Sequence, residues 1–189
     1  MSEPQPEFSR PLPVEDIGEG IERAISAAPA ELRALARRMG LPAIHALAAE
    51  LAITPEKRGG YLVRGRMRAK VAQECVRTLE VFDADVKADI ERLFVPADSP
   101  AARALEQEQA EAGTVALDAD APDAPDIIRD GVIDLGELVA EHLALSLDPW
   151  PKKPGTDFID MQAGAPPEED GEEGAAHPFA ALERLKRRD

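Results

Sequence analysis

The sequence predicts an α+β domain: an antiparallel β-sheet with two main helices, followed by an acidic disordered linker and a short C-terminal helix. Three observations predict it. Apolar and polar residues alternate through residues 43–54, 61–71 and 82–94, as strands with one wet face require. Apolar residues recur at helical spacing in 29–39 and again in 135–147. Beyond residue 151 the apolar content falls and Gly, Pro, Asp and Glu take over. The boundaries expected are a flexible tail 1–7, one domain 8–151 with a weakly ordered acidic excursion at 96–126, a disordered acidic linker 152–177, and a short amphipathic basic tail 178–189.

Taken in order, "LPVEDI" and "IERAIS" place Leu12, Val14, Ile21 and Ile25 at alternate positions and read as short strands. In "PAELRALARRMG", Pro29 suits a first helical turn, and Leu32, Leu35, Ala36 and Met39 form one apolar stripe. Gly40 and Pro42 then stop the helix. "AIHALAAELAIT" fits helix by its alanines and strand by its alternation. The turn-forming "TPEKRGG" that follows favours a hairpin with residues 61–74, and hence strand. From Phe82 to Phe94 the apolar residues move to even positions, so "CVRTLE" must hold a bend that switches parity. In "DLGELVAEHLALSL", Asp134 is placed to cap a helix and Glu137 to complete a capping box. Leu135, Leu138, Val139, His142 and Leu143 face the core, and Pro149 and Pro151 end the element.

Aromatic residues make up only 4% of the 189, so the core must be aliphatic. A single cysteine, Cys75, excludes an internal disulfide and a tetrathiolate metal site. No apolar run approaches the roughly 20 residues that span a bilayer, and the start "MSEPQPEF" is polar, so a cytoplasmic protein without membrane attachment is expected. The net charge of −15 disfavours indiscriminate nucleic-acid binding, so any such contact must be local.

The charge is unevenly spread. Between Lys57 and Arg77 seven cations (Lys57, Arg58, Arg64, Arg66, Arg68, Lys70 and Arg77) meet one anion, Glu74, whereas residues 80–173 carry 25 anions and six cations. On a strand, Arg64, Arg66, Arg68 and Lys70 would project from one face about 6.6 Å apart, comparable to the separation of successive phosphates in a nucleic-acid strand. Neutralising four or five phosphates would give a logarithmic salt slope of about −3 to −4. The alternative is a solvated face whose cations pair across strands with Asp83, Asp85, Asp89 and Glu91.

Catalytic signatures are missing. There is no Gly-rich phosphate loop, and the glycines of "RGGYLVRG" precede no helix. His45, His142 and His177 are scattered; His142 fits a structural place on its helix, and Cys75 fits a small buried apolar residue. "EEDGEE" lacks the framework of a calcium loop. No enzyme activity, cofactor or metal is expected.

The segments "VRGRMRAKVAQECVRTLEVFDADV", "VIDLGELVAEHLALSLDPWP" and "HPFAALERLK" resemble the YceD family, the large ribosomal RNA subunit accumulation proteins, in an alphaproteobacterial form. The motif residues are Gly65 and Ala69, then Cys75, Thr78 and Leu79, then Ile133, Asp134 and Leu135 with Glu141 behind them. Many members carry a second cysteine at the place of Thr78 and further cysteines at the place of "DPWPKKPG", and those departures argue against a thiol-bound metal here. The resemblance implies a non-enzymatic role in synthesis, processing or stability of large-subunit ribosomal RNA. It makes that RNA or a pre-ribosome the expected partner; that the basic hairpin makes the contact is the expectation drawn from the charge pattern. A basic ribosomal protein held by the acidic regions, with the protein as adaptor or escort, is the alternative. The tail residues Phe179, Leu182, Leu185, Lys186 and Arg187 are a further candidate partner-binding stripe.

Overall fold

The structure, a computed structural model, describes residues 6–56, 59–100, 102–103 and 124–155. Lys57, Arg58, most of the acidic excursion, the linker beyond Gly155 and the tail with its stripe lie outside the described residues. The elements that follow belong to one compact unit, Met1–Pro154.

The expected strand near residue 12 is short: β1 spans Pro11–Pro13, and Val14–Asp16 turns into a single 3-10 turn. Then come β2 (Ile21–Ser26), α1 (Pro29–Met39), β3 (Ala43–Pro55), β4 (Tyr61–Glu74), β5 (Val81–Pro96), β6 (Asp126–Ile128), β7 (Val132–Asp134) and α2 (Leu135–Ser146). A helical turn also opens at Pro100, where the Ser99 hydroxyl accepts from the Ala102 N–H at 3.1 Å. The main sheet runs β2-β3-β4-β5-β6 and is antiparallel except for its last pair. β6 lies parallel to the end of β5, with Val95 opposite Ile127. β1 and β7 form a separate antiparallel pair in which Leu12 faces Ile133.

Alternation explains the long strands. Leu47, Ala49, Leu51 and Ile53 of β3 and Val63, Met67, Ala69 and Val71 of β4 are buried together with Ile90 of β5. Leu32, Leu35 and Ala36 of α1 join the same core, as do Leu135, Leu138, Val139 and Leu143 of α2. Phe8, Leu12 and Ile17 complete it from the N-terminal side. The opposite sheet face is wet. Burying the seven larger of these strand side chains on one face contributes on the order of 1.5–3 kcal/mol each against conformational entropy, which makes the register of β3, β4 and β5 costly to slip.

Both helices begin on carboxylates, though not as a complete capping box. Ala28 precedes α1 and has no side-chain acceptor, so only the Glu31 half forms, accepting from the Ala28 N–H at 2.6 Å. α1 ends on Gly40 at φ +65°, a left-handed cap that glycine adopts without a Cβ penalty. Asp134 caps α2, accepting from Gly136 N–H at 2.9 Å and Glu137 N–H at 3.2 Å. The same carboxylate accepts from the Ser9 hydroxyl and from Arg10 N–H at 2.7 Å, tying the N-terminal segment to the helix start. Glu137 does not fold back as a capping box would have it. Its carboxylate is taken by the Arg38 guanidinium at 2.7 Å, which joins the end of α1 to the start of α2 and also reaches Glu7.

Arg10 works similarly on α1. It forks onto Glu31 at 2.8 and 2.9 Å, donates to the Ser26 carbonyl at 3.0 Å, and stacks 4.7 Å from the Phe8 ring centroid. The Arg10 hydrogen bonds hold the Glu31 carboxyl below its ordinary value against partial desolvation. The stability this adds is complete above the ordinary carboxylate value and is lost as pH falls through the lowered one.

Gly65 is where β4 comes closest to β3. A Cβ there would collide with the Glu50 carbonyl oxygen and lie 2.8 Å from Leu51 Cδ2. The Gly65→Ala variant is therefore expected to lose about 2 kcal/mol of unfolding free energy, and Asp134→Ala about 1–2 kcal/mol through loss of its cap. Urea denaturation measures both, and wild-type stability of either variant would contradict the packing described.

Candidate functional site

The site is built on β4. From residue 64 to residue 70 the even-numbered positions of this strand point away from the core, so Arg64, Arg66, Arg68 and Lys70 stand in one exposed row. The neighbours follow from register. On the β3 side Ala52, Glu50, Ala48 and Ala46 lie directly opposite the four. On the β5 side the partners are Glu91, Asp89, Lys87 and Asp85.

The row is substantially compensated. Arg64 pairs with Glu91 at 2.9 Å, Arg66 with Asp89 at 3.3 Å, and Lys70 with Asp83 at 3.4 Å. His45, displaced outward at the β-bulge between Ile44 and Ala46, reaches the same Asp83 at 3.0 Å. Partial desolvation of Asp83 opposes its ionisation, but the hydrogen bonds from His45 and Lys70 outweigh it and hold the carboxyl below its ordinary value. The Arg64 hydrogen bond does the same for Glu91. These pairs are wet: the Arg66 and Asp89 side chains are 76% and 88% exposed. Exposed pairs of this kind are screened by solvent and add little to stability. They orient the cations without locking them.

Alanines on β3 shape the ground beside the row. Ala46 and Ala48 are exposed and Ala52 half-buried, so the strand between β2 and β4 is low except where Glu50 rises between Ala48 and Ala52. A trough results, roughly 10 Å across by the inter-strand spacing. One stretch, about 260 Å³, is lined by Ala24, Ser26, Ala48, Glu50, Arg66 and Arg68. Another, about 640 Å³, lies beside Glu22, Arg23, Ala24, Ala52, Arg64 and Arg66. A separate hollow of about 780 Å³ opens between β5, the β6–β7 turn and α2, where Arg92 pairs with Asp126 at 2.7 Å beside Arg129, Glu137 and Glu141.

The other sequence candidates are dispersed. Arg77 sits beyond β4 in the Cys75–Glu80 turn rather than in the row. Ala69 is buried on the inward face of β4, and Ile133 and Leu135 are buried around the Asp134 cap. Leu79 takes φ +59° and is 71% exposed, which is the backbone reversal that switches parity before β5. His142 is half-buried, its Nδ1 2.9 Å from the Leu138 carbonyl oxygen. Lys87, absent from the residues expected at the site, faces Arg68 across β4 and β5. Its signal in the sequence is a single basic residue among outward-facing acids.

Cys75 is fully buried at the end of β4. The Lys153 backbone N–H donates to its Sγ at 3.4 Å. The hydroxyl and N–H of Thr78 and the N–H of Arg77 also turn toward it. The Lys153 amide foremost, with these others, favours the thiolate and brings the pKa down to about 6, although burial opposes this. Val76 N–H donates to the Pro151 carbonyl at 2.9 Å, so the segment that follows α2 is held against the turn both there and at the thiol. Among the described residues, no three His, Cys, Asp or Glu side chains converge as a metal ion would need.

The family model described as "Large ribosomal RNA subunit accumulation protein YceD" matches residues 63–186. The chain belongs to the YceD family. Comparison with curated proteins and with solved structures gives no match. Gly65, Cys75, the Asp134 cap and the whole cationic row thus lie within the matched span, and membership ties the chain to accumulation of large-subunit ribosomal RNA. No helix among the described residues is long and apolar enough to cross a membrane.

A thiol held below its ordinary pKa in the folded state adds stability above its unfolded pKa, and that stability is lost as pH falls through the folded value. The stability difference between the wild type and Cys75→Ser is expected to grow in favour of the wild type as pH rises from about 6 toward 9.0. Urea denaturation of both proteins over that range checks it; a pH-independent difference would contradict a buried thiolate.

Proposed function

We propose that this YceD-family chain acts without catalysis in the cytoplasm to support large-subunit ribosomal RNA, contacting the RNA backbone through the exposed row of β4. The observation that carries the reading is the row itself: Arg64, Arg66, Arg68 and Lys70 on one wet face beside a trough floored by Ala48, Glu50 and Ala52. Arginine forks onto phosphate and stacks on base planes. The trough is wide enough for a single strand to lie between β2 and the arginines. A polyanion can take over the exposed cross-strand pairs because each is solvent-screened and weak. The net charge of −15 repels polyanions elsewhere, which confines contact to this face.

One observation favours a second reading. Asp83, Asp89 and Glu91 already engage three of the four cations, so the face is mixed in charge. A mixed face also suits a basic ribosomal protein held as by an adaptor or escort. Filter binding of the full chain to large-subunit ribosomal RNA across a salt series separates the two. The RNA reading expects a logarithmic salt slope of about −3. It also expects at least tenfold weaker binding when Arg64, Arg66, Arg68 and Lys70 are all replaced by Gln. Undiminished binding in that variant would overturn the RNA assignment of this face, and absence of RNA binding by the wild type would leave the adaptor reading.

A further inference from the structure

The row is not uniform along its length. Arg64 faces Glu91, Arg66 lies between Glu50 and Asp89, and Lys70 faces Asp85 while pairing with Asp83. Arg68 alone in the row has no carboxylate directly opposite on either neighbouring strand: Ala48 lies on one side and Lys87 on the other. Like charges directly opposite in an antiparallel pair are destabilising. The neighbouring outward positions of β5 read Asp83, Asp85, Asp89 and Glu91, so an acid at position 87 would have completed the pattern. The carboxylates at diagonal or same-strand positions to the two cations are Asp85 and Asp89 of β5 and Glu50 of β3, and Asp89 is already engaged by Arg66. Arg68 also borders the smaller stretch of the trough, which Ala24 and Ser26 line with it.

We infer that Arg68 and Lys87 form a phosphodiester-binding pair, the point at which an RNA backbone is gripped across β4 and β5. This rests on the RNA reading of the face and makes it specific. A phosphate bridging the two cations relieves their mutual repulsion on binding, whereas one bound at Arg64 or Arg66 must first displace Glu91 or Asp89. The same charge therefore contributes more at position 68 than at its neighbours. Lys87 thereby enters the site although it lies outside the basic hairpin in sequence.

The test uses the full chain and a labelled 20-nucleotide oligouridylate, with affinity read across a salt series. Arg68→Gln combined with Lys87→Gln is expected to weaken binding at least tenfold and to make the salt slope shallower by about 0.7 for each phosphate no longer neutralised. Arg64→Gln combined with Arg66→Gln is expected to cost less than threefold. Lys87→Arg, which keeps the charge, should bind as the wild type does. In the absence of RNA, Lys87→Gln should raise the melting temperature at low salt and not at high salt. If the 68/87 variant binds normally while the 64/66 variant does not, the pair is wrong and the RNA-binding face stands. If the wild type binds neither this oligonucleotide nor large-subunit ribosomal RNA, both fall.

Discussion

One-sided burial of the β3–β4–β5 meander is the constraint from which the rest of the molecule follows. A strand repeats every two residues, so committing Val63, Met67, Ala69 and Val71 to the core commits Arg64, Arg66, Arg68 and Lys70 to water. A slip of one residue would bury four cations and expose the apolar set, at a cost far above the whole stability of an ordinary domain. The wet face is thus printed in register by the dry one. That is why weak, solvent-screened surface interactions can still meet at defined partners across β5. The core does the aligning, and the ion pairs merely follow the alignment. Gly65 belongs to the same constraint, since its missing side chain lets β4 lie close against Glu50 and Leu51 beside the row.

The inner layer is held by a few polar ties at its rim. Asp134 gathers four donors from α2 and the N-terminal segment, Arg10 fastens that segment to the start of α1, and Arg38 joins α1 to α2 through Glu137. Each tie satisfies helix-end or segment groups that would otherwise be solvated, and each joins elements distant in sequence. The helices are thereby kept over one face of the sheet and off the other. A further helix on the outer face would cover the trough; from Asp83 to Glu91 the outward positions of β5 are all charged and give such a helix no apolar ground to rest on.

Legibility in the sequence tracks the length of each periodic signal. β3, β4 and β5 span 13, 14 and 16 residues; the alternation of β4 and β5 is clear from the residues alone, whereas that of β3 competes with a helical reading of its alanines until the turn after it is counted. α1 shows a full stripe and a glycine stop. β6 and β7 have three residues each, too few for any period to register, so their residues read as loop or helix start. A local signal does exist: Asp130 and Gly131 form the Asp-Gly pair of a tight hairpin turn, and both adopt positive φ. The parallel pairing of β6 with β5 is not legible, because the connection between Pro96 and Asp126 carries no strong pattern. Glu137 shows a different limit. Its spacing from Asp134 satisfies the capping-box rule, but an arginine 99 residues away offers a charged partner and takes it. The cationic row is legible as residues on a face, and its compensation is not, since Arg64 meets Glu91 only through a register that the bend at residues 75–80 sets.

Mixed charge on the wet face bears on how selective it can be. A bare ridge of four cations would attract any anion, and its long-range field would act on partners of every shape. With Glu91, Asp89 and Asp83 beside it, the row has little field at a distance, because opposite charges a few ångströms apart cancel beyond about one Debye length of 8 Å at physiological salt. A small anion arriving alone gains one cation and must compete with a carboxylate already in place. A polyanion whose phosphates recur near the two-residue spacing of the strand meets Arg64, Arg66, Arg68 and Lys70 together, and the small competing terms add while the entropy of association is lost only once. Pairing the cations in the free protein therefore raises the number of simultaneous contacts needed before binding becomes favourable. It converts a generally sticky surface into one that responds to the length of a polyanion and the spacing of its charges.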